Sequence, residues 1–363
     1  MINVLLVAGA RPNFMKIMPL LKEMKRFPKK FKPILIHTGQ HYDFNMSASF
    51  FKDLDMPDPD IHLDCYSTGD KAQITKIKEG VERVLIKSQI DLVIVVGDVN
   101  STIAAALAAS KHRVSVAHVE AGLRSRDFTM PEEINRLLTD HMSDYLFTTE
   151  EYGNKNLLEE GVNASKIFFV GDIMVDSRVA CKEKISRSKI TDQLDLVKGN
   201  YCLATIHRPA NVDKKEDIAK IVDMLKSLNK LIRVVFPIHP RTRKMLKRYK
   251  MSLDNLLLID PLGYVDFHKL MSDAKFVITD SGGMQEETTV AGIPCITVRT
   301  TTERPITILR GTNELIGPDK TKIMRAVRKI LNDKWKKGEC PPMWDGKTAG
   351  RIIKILLNKE GKR

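Results

Sequence analysis

The sequence predicts a two-domain α/β protein in which each domain is a parallel sheet doubly wound by helices. Three observations lead there. A length of 363 residues favours two domains over one. Short β-branched and leucine-rich runs alternate with stretches of helical period, the pattern of strand-helix-strand units. That alternation restarts near Tyr201, after the charged stretch 176–200, which carries no strand signal.

In the first half, residues 2–8 read as a buried strand, and Pro12 sits where it opens a helix at its first turn. Residues 33–37 form the next strand. Ile74, Ile77, Val81 and Val84 recur at helical spacing before a strand at 92–96, and further strands are expected at 114–118 and 145–148. In the second half, strands are expected at 201–206, 232–237, 256–259, 275–279 and 294–298, with Ile218, Ile221, Leu225 and Leu228 marking one helix face between the first two. The expected domains are 1–175 and 176–346, with a final helix at 347–357 returning to the first domain. Ligands of such sheets bind beyond the carboxyl ends of the strands, so two such domains facing a cleft would bring their post-strand loops together.

Composition narrows the class. A hydrophobic fraction of 43% with 29% charged residues is that of a globular chain. The formal net charge of +14 suits a nucleic-acid partner, an anionic substrate or a lysine-rich surface. The basic residues are spread along the whole chain with no basic-aromatic motif, which favours the last and argues against nucleic acid. Cys65, Cys181, Cys202, Cys295 and Cys340 include no CxxC pair, so neither zinc nor a disulfide framework is expected. No apolar run approaches the roughly 18 residues of a membrane span. The first strand begins at Ile2, so no signal peptide is expected and a cytoplasmic location is.

The polar residues that follow each strand carry the candidate chemistry. Gly9-Ala10-Arg11-Pro12-Asn13, then Lys16, offers two cations to a phosphate or simply turns the chain; it is neither a P-loop nor a GxGxxG fingerprint. Asp98 lies just past the third strand. Glu120 is placed one or two residues past a buried strand, where a carboxylate must be paired or functional; Arg124 is its candidate partner. Glu132 and Glu133 open a helix, where the dipole favours acids, and leave room for one to face a ligand. His37 and His41 share no helix face and have no metal-enzyme spacing, so no metal site is expected. His207 and Arg208 follow the first strand of the second half. The strongest segment runs Thr279-Asp280-Ser281-Gly282-Gly283-Met284-Gln285-Glu286-Glu287: a strand end opening a helix whose first amide N–H groups suit a diphosphate, with Glu287 one turn in, where it would accept both ribose hydroxyls. Arg304 follows the next strand as a further cation.

At this point the chain resembles the non-hydrolysing UDP-N-acetylglucosamine 2-epimerases. The segments GARPNFMKIMPL, TGQHYD, GDVNST, HVEAGLRS, MPEEINR, TDSGGMQEE and TTERP occur in the family's order from Gly9 to Pro305. The resemblance implies a glycosyltransferase-B-like pair of Rossmann-like domains, a homodimer, and interconversion of UDP-N-acetylglucosamine and UDP-N-acetylmannosamine. It implies Arg11, Lys16, Asp98, Glu120, Glu132 and His207 around the sugar and diphosphate. It implies Phe267, Ser281, Gly282, Gly283, Glu287 and Arg304 around the nucleotide. Gln40 and His41 match a loop that in bacterial members helps bind a second, activating substrate molecule. The chain departs at Ile206-His207-Arg208-Pro209-Ala210, where the family often has Thr-His-Arg-Arg-Glu, and at Leu262. GARPNF and GQHYD also resemble relatives acting on diacetamido uronic-acid UDP-sugars.

The implied route is elimination. The C2 proton is not beside a ketone, so UDP must leave C1 as that proton is removed, giving 2-acetamidoglucal; re-addition with protonation of the other face completes the inversion. Proton transfer on both faces needs more than one acid-base group. Asp98, Glu120 and Glu132 are expected to supply them, with His207 and nearby cations stabilising the departing diphosphate. No NAD and no metal is required. The rivals are a hydrolysing epimerase, a glycosyltransferase of the same fold, and a non-catalytic nucleotide-sugar sensor.

Overall fold

The computed structural model describes residues 1–40, 51–67 and 69–360. The chain divides into two compact units, one formed by residues 1–180 with 342–363 and the other by 181–341. The segment 176–200 holds no strand; helices Ile173–Ala180, Lys182–Arg187 and Ile190–Gln193 occupy its first part.

The first unit holds seven strands, β1 (Ile2–Ala8), β2 (Phe31–His37), β3 (Ile61–His62), β4 (Leu92–Val96), β5 (Ser115–Ala121), β6 (Tyr145–Thr148) and β7 (Ile167–Phe169). They pair in the order β3-β2-β1-β4-β5-β6-β7, every pair parallel. The helices used below are α1 (Arg11–Met24), α2 (Asp70–Lys87), α3 (Asn100–Lys111), α4 (Pro131–Met142) and α5 (Ile173–Ala180). Pro12 does lie in the first turn of α1. Ile77, Val81 and Val84 of α2 are buried against the alanine face of α3 and the strand residues Leu5, Val7, Val93 and Val95. Burial on both sheet faces explains the continuous apolar strands.

The second unit repeats the plan with β8 (Tyr201–Thr205), β9 (Arg233–Pro237), β10 (Leu257–Ile259), β11 (Phe276–Thr279), β12 (Cys295–Thr297) and β13 (Asn313–Leu315), parallel in the order β10-β9-β8-β11-β12-β13. Its helices include α6 (Lys215–Asn229), α7 (Tyr264–Asp273) and α8 (Gly282–Ala291). Cys202 and Ala204 enter one core cluster while Tyr201 and Leu203 enter the other, the period-two signature of a sheet covered twice. Burial pushes the Cys295 thiol up to about 11 and Cys202 also well above its ordinary value, so both are protonated core residues.

The last helix, α9 (Thr348–Glu360), packs on α1 and α5 within the first unit. Its opening N–H groups at Thr348 and Ala349 donate to the Asp176 carboxylate at 3.1 and 2.8 Å, which fixes where the returning chain docks.

Each sheet reverses strand order once. In the first unit the chain leaves β1 for β2 on one side and later adds β4 on the other; in the second, β8 is flanked by β9 and β11. Ligands of open α/β sheets bind beyond the strand ends at such reversals. The loops that meet there are Gly9–Asn13 with Gly97–Asn100, and His207–Arg208 with Asp280–Gly283.

Candidate active site

Asn13, 1% exposed, builds the first reversal point. Its Oδ1 accepts from Gly9 N at 3.1 Å and Ala10 N at 2.9 Å, and its Nδ2 donates to the Val96 carbonyl at 2.9 Å. One side chain thus holds the β1 loop to the end of β4. Three residues on, on the same face of α1, Lys16 is buried and ion-pairs with Glu120. Gly97 has φ +67°, a left-handed turn that favours glycine, and a Cβ there would sit 2.9 Å from Lys16 Nζ. Arg11, partly buried, is the first residue of α1.

Glu120 is not past the strand as expected. β5 extends to Ala121, its register against β6 shifts between Val119 and Ala121, and Glu120 occupies that irregularity with φ +76°. A register shift with a left-handed residue breaks the regular alternation and so re-aims the side chain it carries. The expected partner was Arg124. Instead, Arg124 pairs with Asp140 at 2.7 Å and Glu160 at 2.6 Å, and Lys16, distant in sequence, takes Glu120.

Asp98 ion-pairs with Arg136, and its carbonyl accepts from Asn135 Nδ2 at 3.0 Å. The two glutamates that open α4 separate cleanly. Glu133 is fully buried and accepts from Ser125 N, Ser125 Oγ and Arg126 N at 2.9–3.0 Å, with Arg136 Nε at 3.1 Å. Burial works to raise its carboxyl pKa, but hydrogen bonds from Arg136 and those two amides hold it below the usual range. Glu133 therefore shapes the 125–127 loop, while Glu132, one residue earlier, is partly exposed.

Sequence reasoning missed His118 and Asp140. Both are buried; His118 Nδ1 lies 2.6 Å from Asp140 Oδ1 and Nε2 lies 2.8 Å from the Gly97 carbonyl, while Asp140 Oδ2 accepts from Gly122 N at 3.0 Å. Burial opposes the Asp140 charge, yet His118 and Arg124 keep its carboxyl below the ordinary value. This network joins the loops after β4 and β5. His118 heads the segment HVEAGLRS, but nothing consecutive in sequence reveals that its partner lies on α4, 22 residues on.

Gln40 is buried, and its side-chain oxygen accepts from Ser101 N at 3.0 Å and Ser101 Oγ at 2.7 Å. It ties the β2 loop to the start of α3, so this oxygen is committed internally. His41 lies outside the described residues.

In the second unit, Asp280 is fully buried and does not reach outward. Its carboxylate accepts from His207 N at 3.0 Å, Arg208 N at 2.8 Å and Asn211 Nδ2 at 3.0 Å, clasping the β8 loop to the end of β11. His207, a third exposed, has Nδ1 3.3 Å from Asp280 Oδ1 and stacks on His239 with ring centroids 5.0 Å apart. Burial, with Arg208 and Arg241 adding to it, pushes the imidazole below its ordinary value against the pull of Asp280.

Ser281 is the N-cap of α8, and its own amide donates to Thr279 Oγ1 at 2.9 Å. The two glycines that follow differ in reason. A Cβ on Gly282 would meet Glu303 Oε1 at 2.3 Å and Arg304 Nη1 at 2.9 Å, whereas one on Gly283 would meet nothing within 4 Å. Neither packing nor a positive φ demands glycine at 283. Arg304 is buried against Glu286 and, at 2.6 Å, Glu303, which also holds Arg299 at 2.8 Å. It lies beneath the first turn of α8, where a Cβ on Gly282 would come within 2.9 Å of its Nη1. Glu287 Oε1 lies 3.3 Å from Nε2 of His268, a buried residue of α7 that the sequence did not single out; Phe267, half-buried, is its neighbour on that helix.

A family model described as UDP-N-acetylglucosamine 2-epimerase matches residues 22–357. The chain is 45% identical to a UDP-N-acetylglucosamine 2-epimerase homolog of Methanococcus maripaludis, over 98% of this chain and 99% of that protein. It is 39% identical to the UDP-2,3-diacetamido-2,3-dideoxy-D-glucuronate 2-epimerase of Pseudomonas aeruginosa, with 98% and 99% covered. Among solved structures, that of Methanocaldococcus jannaschii UDP-GlcNAc 2-epimerase in complex with UDP-GlcNAc and UDP superposes with a TM-score of 0.91 at 40% identity, covering 98% of this chain and all of that one.

Proposed function

The chain belongs to the UDP-N-acetylglucosamine 2-epimerase family and is an isomerase that inverts C2 of a UDP-sugar, and from that premise we propose a substrate, a route and a division of labour. The substrate is UDP-N-acetylglucosamine, interconverted with UDP-N-acetylmannosamine. The C1–O bond breaks as the C2 proton leaves, UDP departs with the bonding pair, and 2-acetamidoglucal forms with a C1–C2 double bond. Re-addition of UDP with protonation of the opposite face of C2 closes the cycle. The reaction is redox-neutral and calls for no NAD and no metal.

Asp98, Glu120 and Glu132 carry the proton transfers. Ser281, Gly282 and Gly283 receive the diphosphate on the α8 N-terminus, Glu287 binds the ribose and Phe267 the base; Arg11, Lys16 and His207 stabilise the departing UDP, with Arg304 supporting the α8 turn. The observation that carries this reading is Glu120, buried with φ +76° at a strand irregularity. Holding a glutamate in the left-handed region costs roughly 1–3 kcal/mol, and pairing it in the interior brings a desolvation penalty that packing alone would not justify. The resemblance further favours a homodimer in the cytoplasm with no nucleic-acid or membrane partner. Among the described residues no helix is long and apolar enough to cross a membrane.

Incubation with UDP-N-acetylglucosamine in D2O tests the route without additives. The epimer is expected to carry deuterium at C2; an epimer that retains hydrogen there overturns the mechanism, and free N-acetylmannosamine with UDP reveals a hydrolysing enzyme instead. Likeness to the Pseudomonas enzyme supports a second substrate, a diacetamido uronic-acid UDP-sugar. Turnover of that compound alone would change the substrate and leave the route intact.

The glycines supply an independent check on the diphosphate assignment. Gly283→Ala has room and replaces glycine within a helix, so the melting temperature should hold or rise slightly. UDP affinity should fall by about ten- to a hundredfold if the added methyl displaces one charge-assisted hydrogen bond. Gly282→Ala should lower the melting temperature as well, because its Cβ collides with Glu303 and Arg304. Unchanged UDP binding in Gly283→Ala would remove the diphosphate from this turn.

A further inference from the structure

Arg136 stands out among the groups that the proposed chemistry does not use. Its side chain is 2% exposed, and it ion-pairs with the Asp98 carboxylate while Nε donates to Glu133 at 3.1 Å. Glu133 is itself fixed by the amides of Ser125 and Arg126. Asn135, the preceding residue, donates to the Asp98 carbonyl at 3.0 Å and lies 3.4 Å from Asn100 Oδ1. One turn of α4 therefore grips Asp98 by both its side chain and its main chain, and the same turn begins with Glu132.

We infer that Arg136 is a positioning residue that sets the Asp98 carboxylate relative to Glu132, so that two proton-transfer groups from different loops share one register. The inference rests on the assignment of Asp98 to acid-base work made above. Exposure separates the two roles: Asp98 keeps 29% of its side chain open to a ligand, whereas Arg136 is hidden behind it. The planar guanidinium presents Nη1 to Asp98 and both Nε and Nη2 to Glu133, three fixed directions that the single nitrogen of a lysine does not reproduce. Lysine at 136 would keep the local charge and lose the orientation.

The test compares the full-length protein with Arg136→Lys, Arg136→Gln, Asp98→Asn and the double variant Asp98→Asn/Arg136→Lys. Measurements are kcat and KM for UDP-N-acetylglucosamine, UDP affinity and melting temperature, with slow variants followed by deuterium uptake at C2. Arg136→Lys should lower kcat by about 10- to 100-fold, the effect of a catalytic group displaced by about an ångström. KM and UDP affinity should stay within about twofold, because binding through the nucleotide is untouched. In the Asp98→Asn background the same change should cost less than about twofold, since no carboxylate is left to position. Arg136→Gln should lose more turnover than Arg136→Lys, and it decides the matter should the lysine variant not fold. Wild-type kcat in both Arg136 variants overturns the inference, as does a loss that is equal in the two backgrounds or that tracks UDP binding and melting. Wild-type turnover in Asp98→Asn would bring down the acid-base assignment as well, whereas a crippled Asp98→Asn beside normal Arg136 variants removes only the positioning role.

Discussion

Glu120→Gln is expected to lower kcat by about two to four orders of magnitude, the contribution of a general acid-base group, while UDP affinity stays within about twofold. The amide keeps the shape of the side chain and the bulge that holds it, but it neither accepts nor returns a proton. It also deprives buried Lys16 of its ion pair. Breaking a buried pair from one side typically costs about 3–5 kcal/mol, so lower stability could pass for lost catalysis. The double variant Lys16→Met/Glu120→Gln should recover much of the stability and so measures the share of the loss due to the broken pair, while kcat of Glu120→Gln taken well below its own melting temperature separates lost catalysis from lost folding. Steady-state kinetics, UDP titration and thermal melts on the three proteins decide the point. Near-wild-type kcat in a folded Glu120→Gln would refute the role assigned to this carboxylate.

Asp280→Ala is expected to destabilise the second unit by about 3–5 kcal/mol and to abolish measurable UDP binding under conditions where the native protein is saturated. The fully buried carboxylate accepts from two main-chain amides and from Asn211. Removing it strands those donors, each at a cost of about 1–3 kcal/mol, and unties the His207 loop from the α8 turn. Denaturant unfolding followed together with UDP titration tests both parts. A stable protein with normal affinity would show that the clasp is dispensable. The pH dependence has a defined sign. Burial foremost, helped by Arg208 and Arg241, holds the folded-state value of His207 below its ordinary one. Its contribution is therefore complete above the unfolded value and is lost as pH falls through the folded one. Asp280 works against that depression, so Asp280→Ala should make the acid-side loss of stability larger.

Much of the architecture is legible in local pattern. The strands at 92–96 and 145–148 are bounded as their apolar runs suggest, and the helix faces marked by Ile77, Val81 and Val84 and by Ile218, Ile221, Leu225 and Leu228 are buried. The strands Ile61–His62, Ile167–Phe169 and Asn313–Leu315 escape because two or three residues at or near a sheet edge show no period. Glu120 was recognisable as an acid too costly to bury idly, but the end of its strand was placed too early. A register irregularity arises from pairing with a neighbouring strand and leaves no mark in hydrophobic alternation.

By itself, then, the sequence determined two doubly wound parallel sheets and the loops in which their functional groups lie, because strand and helix periods are properties of consecutive residues. Only the tertiary structure decided which of those groups are already committed. Glu120 pairs with a lysine 104 residues away rather than with nearby Arg124. Glu133 is buried and consumed by the 125–127 loop, whereas its neighbour Glu132 stays partly exposed. Asp280, inside the most suggestive motif of the chain, is spent on holding that motif in place. A carboxylate's role depends on the donors and charges that folding brings within a few ångströms of it, and those come from segments that have no sequence proximity to announce them.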